Sequence, residues 1–191
     1  MQLVFATANK NKIKEIKPLV PPSIEIIGLL DIGCTEEIPE THFTIEDNSM
    51  EKAEFIYQKY GYNCFSEDSG LEVFALNGEP GVYSAHYSGT RDPQQNINLL
   101  LLNLRNTKDR RAQFKTVFTL VIDNTYNQFT GIVTGLITEK PTGTNGFGYD
   151  PIFIPDGSSL TFAEMSGEEK SNCSHRTKAF TLLTNFLRNN F

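Results

Sequence analysis

The sequence predicts an α/β or α+β fold around a mixed β-sheet. A buried strand followed directly by an amphipathic helix opens the chain, two long β-rich runs occupy the centre, and a helical pattern closes it. With 191 residues, 39% of them hydrophobic, the chain is long enough for one sizeable core. Neither an internal repeat nor a linker interrupts it, so we expect one domain over residues 1–191.

The first elements are a strand, a tight turn and a helix. Residues 3–7 are mostly apolar, and residues 9–19 then show the apolar spacing of an amphipathic helix that stops at Pro21 and Pro22. Residues 24–27 form the next predicted strand. An acidic loop follows this strand.

Capping residues mark two further helices. Thr44 and Asp47 form a capping-box pattern that opens a helix, and Gly61 is a typical residue for its C-terminal end. Asp92 can cap the following helix, because Pro93 is tolerated at a first helical position.

A polar segment separates two apolar runs in the middle of the chain. Residues 63–66 and 71–74 have strand character and bracket the sequence Glu67-Asp68-Ser69-Gly70. Polar residues between two strands form either a turn or a functional site, and both interpretations stay open here.

The C-terminal half predicts a hairpin, a loop and a last helix. Residues 113–122 and 128–138 are β-rich and predict two antiparallel strands, with residues 124–127 as the turn. Residues 139–148 are rich in Gly, Thr, Pro and Asn, which favours a functional loop. Ser174 can cap the final helix.

Charge and composition exclude several classes of partner. A formal net charge of −6 does not favour nucleic acid or an anionic membrane, since both attract basic surfaces. The N-terminal pattern is that of a buried strand rather than a secretory signal, and no window has the run of about 18 apolar residues that a membrane helix needs. Three widely spaced cysteines suggest neither zinc nor a disulfide framework, so we expect a cytoplasmic protein.

The first candidate site lies at the predicted junction of the first strand and helix. A helix N-terminus offers unpaired N–H donors, and Thr, Asn and Lys side chains add further donors for a phosphate. The segment comprises Thr7, Ala8, Asn9, Lys10, Asn11 and Lys12. Neither a Walker A pattern nor G-x-G-x-x-G is present. The alternative is a polar turn with an ordinary solvated lysine.

The second candidate site is acidic. Carboxylates occur in the loop at Glu36, Glu37 and Glu40, and again at Glu67 and Asp68. Hard cations such as Mg²⁺ take one or two carboxylates and share the remaining positions with water and substrate phosphates. The nearby Glu46 and Asp47 are better explained as favourable charges in the first turn of a helix.

Two further candidates lie near the C-terminus. In residues 146–151, Phe147 and Tyr149 offer ring faces to a base and Asp150 offers a carboxylate, although the rings of such a loop can also serve as packing anchors. Lys170 and the adjacent residues 174–176 add cations and donors suited to a phosphate or a purine carbonyl.

Taken in order, these segments closely resemble the inosine triphosphate pyrophosphatase family, the pyrophosphatases of noncanonical purine nucleotides. Each match is modest alone, but their ordered occurrence over nearly the whole chain is specific. The matching segments are Phe5 to Glu15, Ile38 to Thr41, Glu46 to Asn48, Glu67 to Leu71, Pro80 to Ala85, Gly146 to Phe153, and Glu168 to Lys170 with Ser174 to Arg176.

The resemblance implies an elongated, two-lobed α/β fold around a long mixed sheet, with a substrate cleft and a homodimer. It assigns the triphosphate to residues 7–12, Mg²⁺ to Glu40 and Asp68, and catalysis to Asp68 as proton acceptor together with Lys12. Substrate contacts are implied for these further residues: Ser69, Phe147, Gly148, Tyr149, Asp150, Lys170, His175 and Arg176. Asp47 and Glu67 depart from the usual family carboxylates, so either remains an alternative to Glu40 in the metal shell.

The expected substrates are purine nucleoside triphosphates such as ITP, dITP and XTP, cleaved to the monophosphate and pyrophosphate. A water held by a carboxylate attacks the α-phosphorus, with charge neutralised by Mg²⁺. His175 or Arg176 donating to a 6-oxo group would disfavour adenine. A pyrophosphatase of different base preference, similar to the Maf proteins, and a catalytically silent nucleotide-binding module are the alternatives.

Overall fold

The computed structural model describes residues 1–191 and contains one six-stranded sheet with flanking helices. The strands are β1 (Gln2–Ala6), β2 (Glu25–Ile27), β3 (Cys64–Val73), β4 (Arg111–Ile122), β5 (Thr125–Ile137) and β6 (Phe153–Pro155), in the order β2-β1-β3-β4-β5-β6. The α-helices are α1 (Lys10–Ile16), α2 (Ile45–Tyr60), α3 (Pro93–Asn103), α4 (Gly167–Cys173) and α5 (His175–Asn190).

The sheet is mixed, as the sequence predicts. Strand β1 pairs in parallel with both β2 and β3, whereas β5 and β6 are antiparallel. Strands β4 and β5 are joined by only two residues, which requires an antiparallel hairpin. The predicted fold class is therefore confirmed.

The chain divides into two compact units. Unit 1 comprises residues 1–68, 116–131 and 176–191, and unit 2 comprises residues 69–115 and 132–175. Strands β3, β4 and β5 contribute residues to both units. The expectation of a single domain stays a prediction.

Unit 1 buries both faces of its central strands. Leu3 and Phe5 of β1 pack in a cluster with Ile16 of α1 and Phe180 of α5. The alternate residues of β1 instead join a second cluster that includes Ala53 of α2. Because successive side chains of a strand point to opposite faces, β1 is apolar throughout rather than alternating.

Unit 2 has its own apolar core. Leu71 and Val73 of β3 pack there with Ile97 and Leu100 of α3. Aromatic side chains complete this core: the ring of Phe114 meets that of Phe153 edge to face, with 4.8 Å between the ring centroids. The side chain of Lys170, which pairs with Asp150, lies over the ring of Phe162 in this aromatic part of the unit.

The helix ends predicted at Thr44, Gly61 and Asp92 are confirmed, although the Asp47 side chain accepts from the Thr44 hydroxyl and does not complete a capping box. Ser174 as the cap of the last helix stays a prediction. The Thr44 hydroxyl accepts a hydrogen bond from the Asp47 N–H at 3.1 Å, and Gly61 ends α2 in a left-handed conformation with φ of 73°. The Asp92 carboxylate accepts from two amides in the first turn of α3, where Pro93 is the first residue. Short-range signals of this kind fix helix ends because the partners lie within one turn.

Three details differ from the prediction. Residues 63–66 and 71–74 are not two separate strands, since β3 runs from Cys64 to Val73 without interruption, and this excludes the turn as one of the two open interpretations of residues 67–70. The hairpin turn is at Asp123 and Asn124, both with positive φ, as a two-residue turn of a hairpin requires. The sequence analysis also missed α4, although Ser166 and Glu169 form a full capping box at its start.

Candidate active site

The two acids at the centre of the candidate site point in opposite directions from one strand. In β3 the side chains of Cys64, Ser66 and Asp68 face α2: the Ser66 hydroxyl contacts that of Ser49 at 3.1 Å. The intervening Phe65 and Glu67 face α1 and α5. The period of two in a strand therefore gives each acid a different set of partners.

Glu67 is paired with two cations. Its carboxylate lies 2.9 Å from the Lys12 ammonium and 3.2 Å from the Arg176 guanidinium, and its side chain is fully buried. Burial alone would raise the pKa of Glu67, but the charges of Arg176 and Lys12 outweigh it and hold the pKa well below its usual range. Arg176 is also paired with Glu15. Glu67 thus pairs as a carboxylate with two cationic side chains.

Asp68 shares one cation with Glu40. The Lys52 ammonium donates to Asp68 Oδ1 at 2.8 Å and to Glu40 Oε1 at 2.5 Å. The side chains of Lys52 and Asp68 are 5% and 10% exposed, whereas that of Glu40 is 50% exposed. We define the charged cluster of unit 1 by its members: Lys12, Glu15, Glu40, Lys52, Glu67, Asp68 and Arg176.

The pKa values of Lys52 and Asp68 are both raised, for different reasons. Burial raises the pKa of Asp68, and the attraction of Lys52 and Lys12 does not fully cancel that effect. For Lys52, burial would lower the pKa, but the charges of Asp68 and Glu40 more than offset it and raise the pKa. Asp68 is therefore a stronger base than a solvated aspartate, beside a lysine that stays charged.

This geometry bears on the choice of metal ligands. Glu40 and Asp68 direct carboxylate oxygens at a single positive charge, and hard oxygen donors of this type suit Mg²⁺. Glu67 points to the other face of β3, and the Asp47 carboxylate accepts a hydrogen bond from the Thr44 hydroxyl at 2.6 Å. The arrangement favours Glu40 over these two alternatives. No group of three or more His, Cys, Asp or Glu side chains is placed to hold a metal.

The segment from Thr7 to Lys12 forms a capped turn. The Asn9 side chain accepts hydrogen bonds from the N–H groups of Asn11 and Lys12, at 3.0 and 3.3 Å, and the Asn9 N–H donates to the Thr7 hydroxyl at 3.2 Å. Ala8, Asn9, Lys10 and Asn11 are exposed. Lys12 is not an ordinary solvated lysine, because its ammonium is held by Glu67.

Unit 2 contains a second buried ion pair. The Lys170 ammonium donates to Asp150 Oδ2 at 2.6 Å, and the Phe147 N–H donates to the same oxygen at 2.8 Å. Lys170 also lies over two rings, 5.1 Å from the centroid of Phe147 and 5.5 Å from that of Phe162. Asp150 therefore holds the loop of residues 146–150 in place, and we call Asp150 and Lys170 the anchor pair.

The remaining predicted substrate residues of unit 2 differ in exposure. His175 is buried and stacks on Phe114 with 4.6 Å between ring centroids. Tyr149 is also buried, its hydroxyl has no hydrogen-bond partner, and burial raises its pKa. Phe147, Gly148 and Ser69 are half-buried. Tyr149 accordingly fits the alternative that the sequence left open, an aromatic anchor that packs the loop.

Lys52 belongs to the candidate site through its ion pairs with Glu40 and Asp68, although no sequence motif indicated it. It belongs to the buried stripe of α2, together with Ser49, Ala53 and Ile56. A lysine in the apolar stripe of an amphipathic helix is itself a signal, because a buried ammonium needs a carboxylate partner.

No helix of the structure combines the length and the apolar character needed to cross a membrane.

Comparison with known proteins supports the motif resemblance. The Ham1 family model matches residues 3–186. The dITP/XTP pyrophosphatase of Flavobacterium psychrophilum is 54% identical over 99% of this chain and 100% of its own length, and that of Flavobacterium johnsoniae is 55% identical over 98% of both. The solved structure of the Staphylococcus aureus Ham1 protein has a TM-score of 0.93, with 40% identity and full coverage of both chains. The family resemblance predicted from the motifs is thus confirmed, and the chain belongs to the Ham1 family.

Proposed function

We propose that this chain hydrolyses noncanonical purine nucleoside triphosphates, including dITP, XTP and ITP, to the monophosphate and pyrophosphate in a Mg²⁺-dependent reaction. The relatives that carry the name dITP/XTP pyrophosphatase align over nearly the whole chain. The observation that carries the proposal is the buried Asp68, whose carboxylate shares one cation with Glu40. A homodimer in the cytoplasm belongs to the same proposal on family resemblance alone.

Asp68 is the proton acceptor of the proposed reaction. A water molecule attacks the α-phosphorus, its proton passes to the Asp68 carboxylate, and the bond to the bridging oxygen breaks so that pyrophosphate leaves. The Asp68 carboxylate suits this role because it is an oxygen base held in a fixed position by the Lys52 ammonium at 2.8 Å. Mg²⁺ held by Glu40 and Asp68 would supply positive charge to the phosphate oxygens.

Lys12 and Arg176 supply the positive charge of the protein itself. Glu67 holds both cations in place, so their ordering does not have to occur when the triphosphate binds. The Lys12 side chain is 13% exposed and can turn its remaining N–H groups to a phosphate. The backbone amides of Asn11 and Lys12 are already bonded to Asn9, so the proposed phosphate donors include the side chains of Thr7, Lys10 and Lys12.

The base is proposed to lie against the loop of residues 147–150. The ring of Phe147 is half-buried, and the anchor pair fixes the loop that carries it. Arg176 is the first proposed donor to a 6-oxo group of the base, because its guanidinium carries N–H donors suited to a carbonyl oxygen. His175 is the second proposed donor to the base.

The direct test is pyrophosphate release from dITP, XTP, ITP, ATP, GTP, dTTP and UTP, with Mg²⁺ and with a chelator. We expect release from dITP, XTP and ITP that requires the metal and falls by about 10²- to 10⁴-fold in Asp68→Asn. Asp109→Asn is the matched control, because Asp109 pairs with Arg111 at the surface and should leave the rate unchanged.

Each alternative predicts a different result. Preference for dTTP or UTP would identify a pyrophosphatase of different base preference. Nucleotide binding without release from any triphosphate would indicate the silent binding module. Wild-type turnover in folded Asp68→Asn would contradict the assignment of the proton acceptor.

A further inference from the structure

Lys52 occupies the position at which the two proposed metal ligands meet. Its ammonium contacts Asp68 at 2.8 Å and Glu40 at 2.5 Å. It reaches them from α2, whose packing against unit 1 fixes the base of the side chain: Ala53 and Ile56 on the same stripe are fully buried. The ammonium is therefore a cation that the chain itself supplies to the Glu40 and Asp68 carboxylates.

The charge balance indicates what happens when a divalent cation enters. Two carboxylates and one ammonium leave a single negative charge on this group. A divalent cation between the same carboxylates would neutralise them and leave the Lys52 charge buried without a partner. Such a charge is costly unless a new anion takes it up.

Access favours an exchange of partners at this position. The Glu40 side chain is half exposed and lies in a loop, so a hydrated cation can reach it from solvent. Lys52 has a flexible four-carbon stem, which allows the ammonium to move while α2 stays in place. Triphosphate oxygens are anions that both Lys52 and a metal ion can bind.

We propose that Lys52 and Mg²⁺ compete for Glu40 and Asp68, so that the nucleotide-free protein binds the metal weakly and the metal enters together with the triphosphate. In this arrangement the phosphates take over the Lys52 ammonium as the carboxylates take up the metal. The inference rests on the proposed function, because the triphosphate is the anion that receives Lys52. Lys52 is thus a positioning residue that couples metal binding to substrate binding.

The test measures metal binding without nucleotide, with Mn²⁺ as the probe because it shares the oxygen ligands of Mg²⁺. Electron paramagnetic resonance titration should give weak Mn²⁺ binding for the wild type and at least about tenfold tighter binding for Lys52→Met. Lys59→Met is the matched control on the same helix, since Lys59 pairs with Glu36 at the surface. It should bind Mn²⁺ as the wild type does.

A second measurement covers the case in which Lys52→Met does not fold alone. Mn²⁺ should then raise the melting temperature of the milder variant Lys52→Gln more than that of the wild type. Equal Mn²⁺ affinity in wild type and variants, or no stabilisation of Lys52→Gln by Mn²⁺, would overturn the competition. Pyrophosphate release by the wild type tests the proposed function separately, since it does not depend on metal binding by the free protein.

Discussion

The charged cluster of unit 1 and the anchor pair of unit 2 both bury a lysine against a carboxylate, but their surroundings differ. In unit 1, Lys52 and Arg176 each contact two carboxylates, and the cluster reaches solvent at the half-exposed Glu40. In unit 2, Lys170 and Asp150 are both nearly inaccessible, and aromatic rings lie over the ammonium. The first arrangement permits exchange of partners, whereas the second fixes a loop.

This difference predicts the largest loss of stability for the anchor pair. Asp150→Asn leaves a buried ammonium without its counter-charge, which costs about 3–5 kcal/mol. We expect a correspondingly lower free energy of unfolding in urea. Glu36→Gln removes one partner of the exposed Lys59 pair and should change little. A loss for Asp150→Asn as small as that of the control would remove the distinction between the two regions.

Two glycines of the same loop test how the anchor pair positions it. At Gly146, with φ of 74°, an added Cβ would lie 1.9 Å from the Asp150 carboxylate oxygen, whereas at Gly148, with φ of 61°, it would meet open space. Gly148→Ala should therefore lose only the backbone preference, about 1–2 kcal/mol, and Gly146→Ala should lose more. Thermal unfolding of the two variants measures the difference. Equal losses would mean that the carboxylate can move at no cost.

The smallest expected effect is a change in acid sensitivity in unit 1. The pKa of Glu67 is below its ordinary value of 4.5, so the unfolded chain takes up a proton before the folded chain does as the pH falls. The contribution of Glu67 to stability is present above this value and is lost below it.

Glu67→Gln tests this pH dependence. The difference in unfolding free energy between wild type and Glu67→Gln should shrink as the pH falls from neutral to about 3. Asp68, whose pKa is raised, acts in the opposite sense, but it is present in both proteins and cancels. A difference that stays constant over this range would contradict the ionised state of Glu67.

The sequence predicted the elements whose signals are local. Thr44, Gly61 and Asp92 mark helix ends correctly because each bonds to residues within one turn. The two strands of the hairpin were also predicted, with an error of position at the turn. Positive φ at Asp123 and Asn124 allows a tighter connection than the sequence pattern indicated.

The path of β3 could not be predicted from the same signals. The sequence leaves a turn and a functional site open for Glu67 and Asp68, because two adjacent acids are rarely buried in a strand. Their burial depends on Lys12, Lys52 and Arg176, the last of which is 109 positions from Glu67. Partners at such separations leave no periodic trace in the sequence. The family motifs identified the acids together with Lys12 and Arg176, and the structure adds Lys52 and the ion pairs that make burial of the acids possible.

The alternation of β3 also constrains how the chain can misfold. A shift of one residue in the pairing of this strand would turn Asp68 towards Phe5, Phe118 and Phe180, and would turn Phe65 towards the hydroxyls of Ser49 and Thr119. The shift would place the Asp68 charge in an aromatic cluster and leave the Phe65 ring among polar groups. The adjacent acids therefore act as a check on strand register, and the residues proposed for catalysis also help to select the correctly paired fold.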